Sequence, residues 1–201
     1  MGLMLLGLLI FLGSHSLPMA VGLHKRLKAI GGDIAYRIVY SVVSLGGLIL
    51  IAEGYKAWRY VDGAPFLYFP PPFLSHIALL LMAFSFILFV ATYGKSHIKK
   101  VVKHPMLAAV KIWAFAHLLA NGDAAGVVLF GSFLAWAVVD RISVKRRERA
   151  GVLAPADFQP TFRDDAIAVT VGLVVYVLFV WHVHMWLIGV SPIVMGSPTT
   201  Q

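Results

Sequence analysis

The sequence predicts an all-α polytopic membrane protein, a bundle of six transmembrane helices with both termini outside. Three observations lead there. The 201 residues are 60% hydrophobic and only 13% charged, against roughly 45–50% apolar and about 25% charged in soluble domains. The apolar residues gather in six continuous runs, each near the roughly 17–25 residues a spanning helix requires. They do not alternate over about ten residues, as the strands of a membrane barrel do. Finally, the basic residues favour alternate connections, which is how charge fixes orientation in a membrane.

The same composition excludes other classes. So small a chain cannot bury this much apolar surface in one soluble core, and disorder requires low hydrophobicity. With no cysteine, disulfides, zinc thiolates, iron–sulfur clusters and thiol catalysis are absent.

The expected helices span 2–20, 36–52, 75–93, 106–122, 124–139 and 167–190, forming one membrane domain over residues 1–190. The first lacks the basic start and small-residue cleavage site of a signal peptide, so it reads as a retained helix. The second is short unless it extends back through Tyr36. The fourth is interrupted by Lys111, His117 and Asn121. Residues 63–72 hold four prolines and form a rigid outer connection. Residues 150–165 form a longer inner loop, and the Pro/Ser/Thr-rich residues 191–201 read as a flexible tail.

Charge sets the topology. Lys25, Arg26, Lys28 and Arg37 lie between the first two helices. Lys95, Lys99, Lys100 and Lys103 lie between the third and fourth. Arg141, Lys145, Arg146, Arg147, Arg149 and Arg163 lie between the fifth and sixth. These are 14 of the 17 basic residues, and they mark the inner side. The clusters therefore read as topology signals and contacts for membrane lipids. No aromatic-interleaved basic surface accompanies them, so nucleic acid is not an expected partner.

Polar groups inside a bilayer are costly, which makes each a functional candidate. They are His15 in the first helix, Lys111, His117 and Asn121 in the fourth, and His182 and His184 in the sixth. Met106, Val110, Trp113, His117 and Asn121 follow three-and-four spacing and share a face. His104 lies about 220° around and about 20 Å along the helix from His117, so the two cannot hold one ion from a single helix. His104 precedes Pro105 and reads as a helix-start residue at the inner rim. Lys111 reads as snorkelling to the inner interface. Asp123, with Gly122, reads as closing the turn between the fourth and fifth helices. Ser14, Ser16 and Pro18 surround His15, and Pro18 frees a backbone carbonyl near Ser14 that could orient the imidazole. His182 and His184 stand about 200° apart, so at most one faces any site; with Trp181 and Trp186 they fit an outer aromatic belt. Two inward histidines on different helices suit haem b ligation. The same residues can also simply hydrogen-bond across helices, and spacing alone leaves both readings open.

His104-Pro105-Met106-Leu107, Lys111-Ile112-Trp113-Ala114 and Ala116-His117-Leu118-Leu119-Ala120-Asn121-Gly122-Asp123 form a long block. Together with Ser14-His15-Ser16-Leu17-Pro18, Arg26, Leu129-Phe130-Gly131 and Asp140-Arg141, this block resembles the NnrU family over about residues 1–150. That family comprises bacterial inner-membrane proteins associated with nitrite and nitric oxide reduction. It is similar to 15-cis-zeta-carotene isomerase, a membrane enzyme that uses haem b. The resemblance implies haem b held by His15 and His117 between the first and fourth helices, with His104 at the rim. Arg26, Arg37 and Lys111 are candidates for the propionates, and Trp113 and Asn121 for further contacts. His104, Asp123, His182 and His184 are secondary candidates. The isomerase carries a cysteine near its second ligand, and this chain has none, which excludes thiolate ligand switching here. The His-Pro helix start is also similar to isoprenylcysteine-type methyltransferases. However, Lys103 replaces their arginine and no donor-binding segment follows.

The expectation is a multi-pass haem b protein of the bacterial inner membrane that supports denitrification by electron transfer, nitric oxide handling or reductase maturation. Its expected partners are membrane lipids and denitrification or respiratory membrane proteins. One alternative is a haem-dependent isomerase acting on an isoprenoid or lipid double bond. Another is a cofactor-free assembly or interaction protein.

Overall fold

The computed structural model describes residues 1–59, 65–154 and 156–193. The tail expected to be flexible lies, from residue 194 onward, outside the described residues, as do residues 60–64 of the outer connection and Pro155 of the inner loop. Among the described residues there is no β-strand, only an isolated bridge between Phe66 and Asp123. The helices fall into two units, residues 1–70 with 121–155, and residues 71–120 with 156–201.

In the first unit, α1 (Gly2–Ser16) runs into a 3-10 turn, Leu17–Met19. Pro18 has no N–H to continue the α-helical ladder. Next comes α2 (Val21–Arg59), broken at Gly32, whose φ of 74° and ψ of 174° lie outside the helical region. Positive φ is readily adopted only by glycine. The break separates a charged segment, 21–31, from a long apolar one. Helices α1 and α2 approach at glycines: a Cβ on Gly7 would lie 2.6 Å from the Ile51 nitrogen, and Gly54 backs onto the fully buried Met4. Small residues are what allow helices in lipid to pack by close backbone approach. The third helix of this unit is α6 (Ala124–Arg149), capped by Asp123, whose Oδ1 accepts the Gly126 N–H at 2.8 Å. The loop before it is tied down: Leu67 N–H donates to the Gly122 carbonyl at 2.8 Å, and Ala124 N–H to that of Pro65 at 2.9 Å.

The second unit holds α3 (Phe73–Ala91), α4 (His97–Val102), α5 (Pro105–Ala120) and α7 (Phe162–Leu178). A π-helical turn, Phe179–Val183, then leads into α8 (His184–Ile188). Buried Ser85 on α3 donates to the Ala109 carbonyl of α5 at 2.9 Å, and Tyr176 on α7 donates to the Leu79 carbonyl of α3 at 2.9 Å. Gly172 packs against the Ile87 backbone. At one end a polar clasp joins α4 to α7. Its parts are His97 Nδ1 to Asp165 Oδ2 at 2.6 Å, Lys95 N–H to Asp164 Oδ2 at 2.8 Å, and Thr161 N–H to the Lys95 carbonyl at 2.9 Å.

Five helical stretches are long and apolar enough to cross a membrane: Gly2–Met19, Val21–Arg59, Phe73–Ala91, Ala124–Arg149 and Phe162–Ile188. The sixth expected run, 106–122, is the 16-residue α5. It measures about 24 Å at 1.5 Å per residue, against a hydrocarbon core of about 30 Å. Pro105 fixes its start. At its end, the Gly122 carbonyl and the Asp123 side chain serve the loop at residues 65–68 and the next helix, so the helix cannot continue. The charged connections are more helical than expected. Residues 21–31, 97–102 and 141–149 all continue or add helix, because Lys and Arg are good helix formers.

Candidate functional site

His15 lies in the last turn of α1. Its Nδ1 sits 2.7 Å from the Phe11 carbonyl oxygen. A carbonyl can only accept, so the proton is on Nδ1 and the lone pair on Nε2. The orienting group is thus the carbonyl four residues back, and not one freed by Pro18: the Ser14 carbonyl accepts the Leu17 N–H. Aromatic rings enclose the imidazole. Phe11 stacks on it at 4.1 Å, Tyr40 of α2 lies at 5.2 Å, and Trp136 of α6 meets it edge-on at 6.1 Å. The Trp136 indole N–H donates to Ser16 Oγ at 3.2 Å, which fixes its ring. Ser14 Oγ donates to the Phe11 carbonyl at 2.8 Å and lies 3.4 Å from His15 Nδ1.

His117, in the second unit, repeats the pattern. Its Nδ1–H donates to the Trp113 carbonyl at 2.8 Å, and the Trp113 ring lies 5.3 Å away. Nε2 again carries the lone pair. A neutral imidazole whose Nδ1–H is held by a backbone carbonyl is the usual form of a histidine metal ligand. The same hydrogen bond also serves a histidine that only satisfies itself within its helix.

The family model for NnrU protein matches residues 3–192. The chain belongs to the NnrU family. The match carries the resemblance read from residues 1–150 through the last described helix. No curated protein and no solved structure shows a significant match.

The remaining family-block residues have plainer settings. His104 precedes α5, its carbonyl accepts the Ala108 N–H at 3.2 Å, and Pro105 opens the helix. Lys111 is half-buried on α5. The Asn121 carbonyl accepts the Tyr68 hydroxyl at 2.8 Å, and Asp123 is a helix cap. Arg26 and Arg37 are exposed on α2.

His182 and His184 diverge, as their separation requires. His182 is exposed beside Trp181. His184 is half-buried, donates from Nδ1 to the Val190 carbonyl at 2.6 Å, and lies within electrostatic range of His117. Sequence reasoning placed both in an aromatic belt. The π-helical turn just before His184 cannot be read from residue types, and such turns recur at functional sites. Phe11, Tyr40 and Trp136 were also missed as neighbours of His15; only Phe11, four residues before it, carried a sequence signal. Among the described residues, no three or more His, Asp or Glu come together to hold a metal ion.

Proposed function

We propose that this NnrU-family chain is a haem b-binding protein of the bacterial inner membrane that supports nitrite and nitric oxide reduction, with His15 and His117 as imidazole ligands. In this reading the five apolar stretches and α5 make six passes, with both termini outside. One observation supports it above the rest. The two histidines, one in each unit, share a tautomer and an anchor: each holds Nδ1–H on the carbonyl four residues back. In that tautomer the basic nitrogen is Nε2, the atom through which such a histidine would ligate a metal.

Haem b, held by His15 and His117, would supply a one-electron iron centre for electron transfer or for binding a small molecule. The protein's own residues hold the imidazoles neutral and fixed. Phe11, Tyr40 and Trp136 restrict the His15 ring. Family membership fits a denitrification-related membrane protein and leaves three roles: electron transfer, nitric oxide handling and reductase maturation.

The test is the visible spectrum of the purified protein, oxidised and dithionite-reduced, for wild type, His15→Ala and His117→Ala. A sharp low-spin b-type spectrum that either substitution abolishes supports the reading. A well-folded protein, expressed with ample haem and showing no Soret band, overturns it and leaves a cofactor-free assembly role. A reduced haem that binds carbon monoxide would favour nitric oxide handling or haem-dependent isomerase chemistry on a lipid or isoprenoid double bond over electron transfer.

A further inference from the structure

The first unit contains a cavity of about 240 Å³. Three pieces of chain wall it. Ser14 and Leu17 come from the end of α1. Leu27, Ile30 and Gly31 come from the charged segment of α2. Ala35, Tyr36, Val39, Tyr40 and Val43 come from the apolar segment beyond the Gly32 break. The break folds the first segment back beside the second, and the cavity is the space between them.

The walls are apolar apart from the hydroxyls of Ser14, Tyr36 and Tyr40. Ser14 Oγ donates to the Phe11 carbonyl, and Tyr36 shares a hydrogen bond of 3.1 Å with His24 Nδ1. The cavity therefore offers hydrocarbon contact and little polar recognition. Its volume is below the roughly 300–1,000 Å³ of pockets that enclose whole small ligands. It suits part of a chain whose remainder lies outside.

What lies outside is positive. Along residues 21–31, Leu23, Leu27 and Ile30 fall within about 60° of the helix circumference, and Lys25, Arg26 and Lys28 occupy the rest. Such a segment lies along a membrane interface, its apolar side in the acyl region and its charges among headgroups. Lys28 is paired with Asp33 at 2.9 Å. Lys25 and Arg26 are exposed and have no ion pair among the described residues, and Arg37 is exposed one turn beyond the break.

We propose that this cavity is a binding site for one anionic phospholipid. An acyl chain enters between Leu27, Ile30 and Val39, and the phosphate rests on Arg26, about 40° from Ile30 around the same segment. Tyr40 forms part of the cavity wall and also lies against His15, so the bound chain packs beside the side chains that enclose His15. The site goes beyond the haem reading and does not depend on it.

The test is native mass spectrometry of the full chain in detergent, titrated with phosphatidylglycerol or phosphatidylcholine, with circular dichroism to certify folding. Wild type is expected to retain one phosphatidylglycerol with at least tenfold preference over phosphatidylcholine. Arg26→Gln should weaken that binding about fivefold, at about 1 kcal/mol per cation. Val39→Trp, or Ala35→Leu should the first not fold, should abolish it by filling the cavity with every cation in place. Equal binding of the two lipids, or binding undiminished in the filled variants, overturns the proposal. So does displacement of phosphatidylglycerol by a neutral prenylated quinone.

Discussion

The ring of Phe11 stacks on the imidazole of His15 at 4.1 Å, while the carbonyl of the same residue accepts that imidazole's Nδ1–H at 2.7 Å. One residue thus fixes both the tautomer and the tilt of the histidine. Phe11→Ala separates the two effects, because it removes the ring and keeps the carbonyl. The expected loss is about 1 kcal/mol of stability, read from reversible unfolding in mixed micelles. If the protein carries haem, its b-type absorption should broaden or weaken in the same variant. An unchanged stability would mean that the ring contact contributes nothing.

Close helix approach in the first unit depends on Gly54, which backs onto Met4, whereas Gly46 on the same helix faces open space. Gly54→Leu should destabilise by about 1–3 kcal/mol through overpacking. Gly46→Leu should be neutral or mildly stabilising, since leucine is the better helix former. Equal effects in the two variants would contradict the packing described for α1 and α2.

Asp123 caps α6 through the Gly126 N–H. Asp123→Ala should lower stability by about 1 kcal/mol, and Asp123→Asn, which keeps a capping oxygen, by much less. Thermal unfolding of the three proteins side by side decides this. It also separates a capping aspartate from one needed by a cofactor, because a cofactor role would make the asparagine variant lose spectrum or activity while remaining stable.

Tyr68 lies in the connection before α3. Burial and the nearby Asp123 carboxylate hold its pKa above the ordinary phenol value of 10.0. The folded value exceeds the unfolded one, so the stability linked to it is complete below about pH 10. It is lost as pH rises through the higher folded value. Tyr68→Phe should be less stable at neutral pH, having lost the bond to the Asn121 carbonyl, and should decline less steeply above pH 10. Parallel pH profiles for the two proteins would contradict this.

Much of the helical architecture could be read from the sequence because continuous apolar runs have few other solutions in lipid. Its register and ends could not. Pro105 and the Asn121-Gly122-Asp123 turn cut α5 to 16 residues, since backbone groups of that turn are taken by residues 65–68, distant in sequence. The Gly32 break was invisible because a Gly-Gly pair among good helix formers specifies no particular angle. At the histidines, residue type and family block singled out His15 and His117, and helical periodicity placed Trp113 on the face of His117, while Phe11 went unread although it stands four residues before His15. Tyr40 and Trp136 reach His15 only through packing between helices, which no local pattern encodes.

The π-helical turn at Phe179–Val183 holds one residue more than an α-helical path would need. Everything after it is out of phase with α7 by about a quarter of a circle. Deleting one residue, Val180 for instance, would restore an unbroken α-helix and swing the two following histidines around the axis together. His184, the imidazole near His117, would then point about 100° away from its present direction without any change of amino-acid type. The last described helix is therefore tuned by length as much as by composition, and a relative one residue shorter here would present a different surface from the same letters.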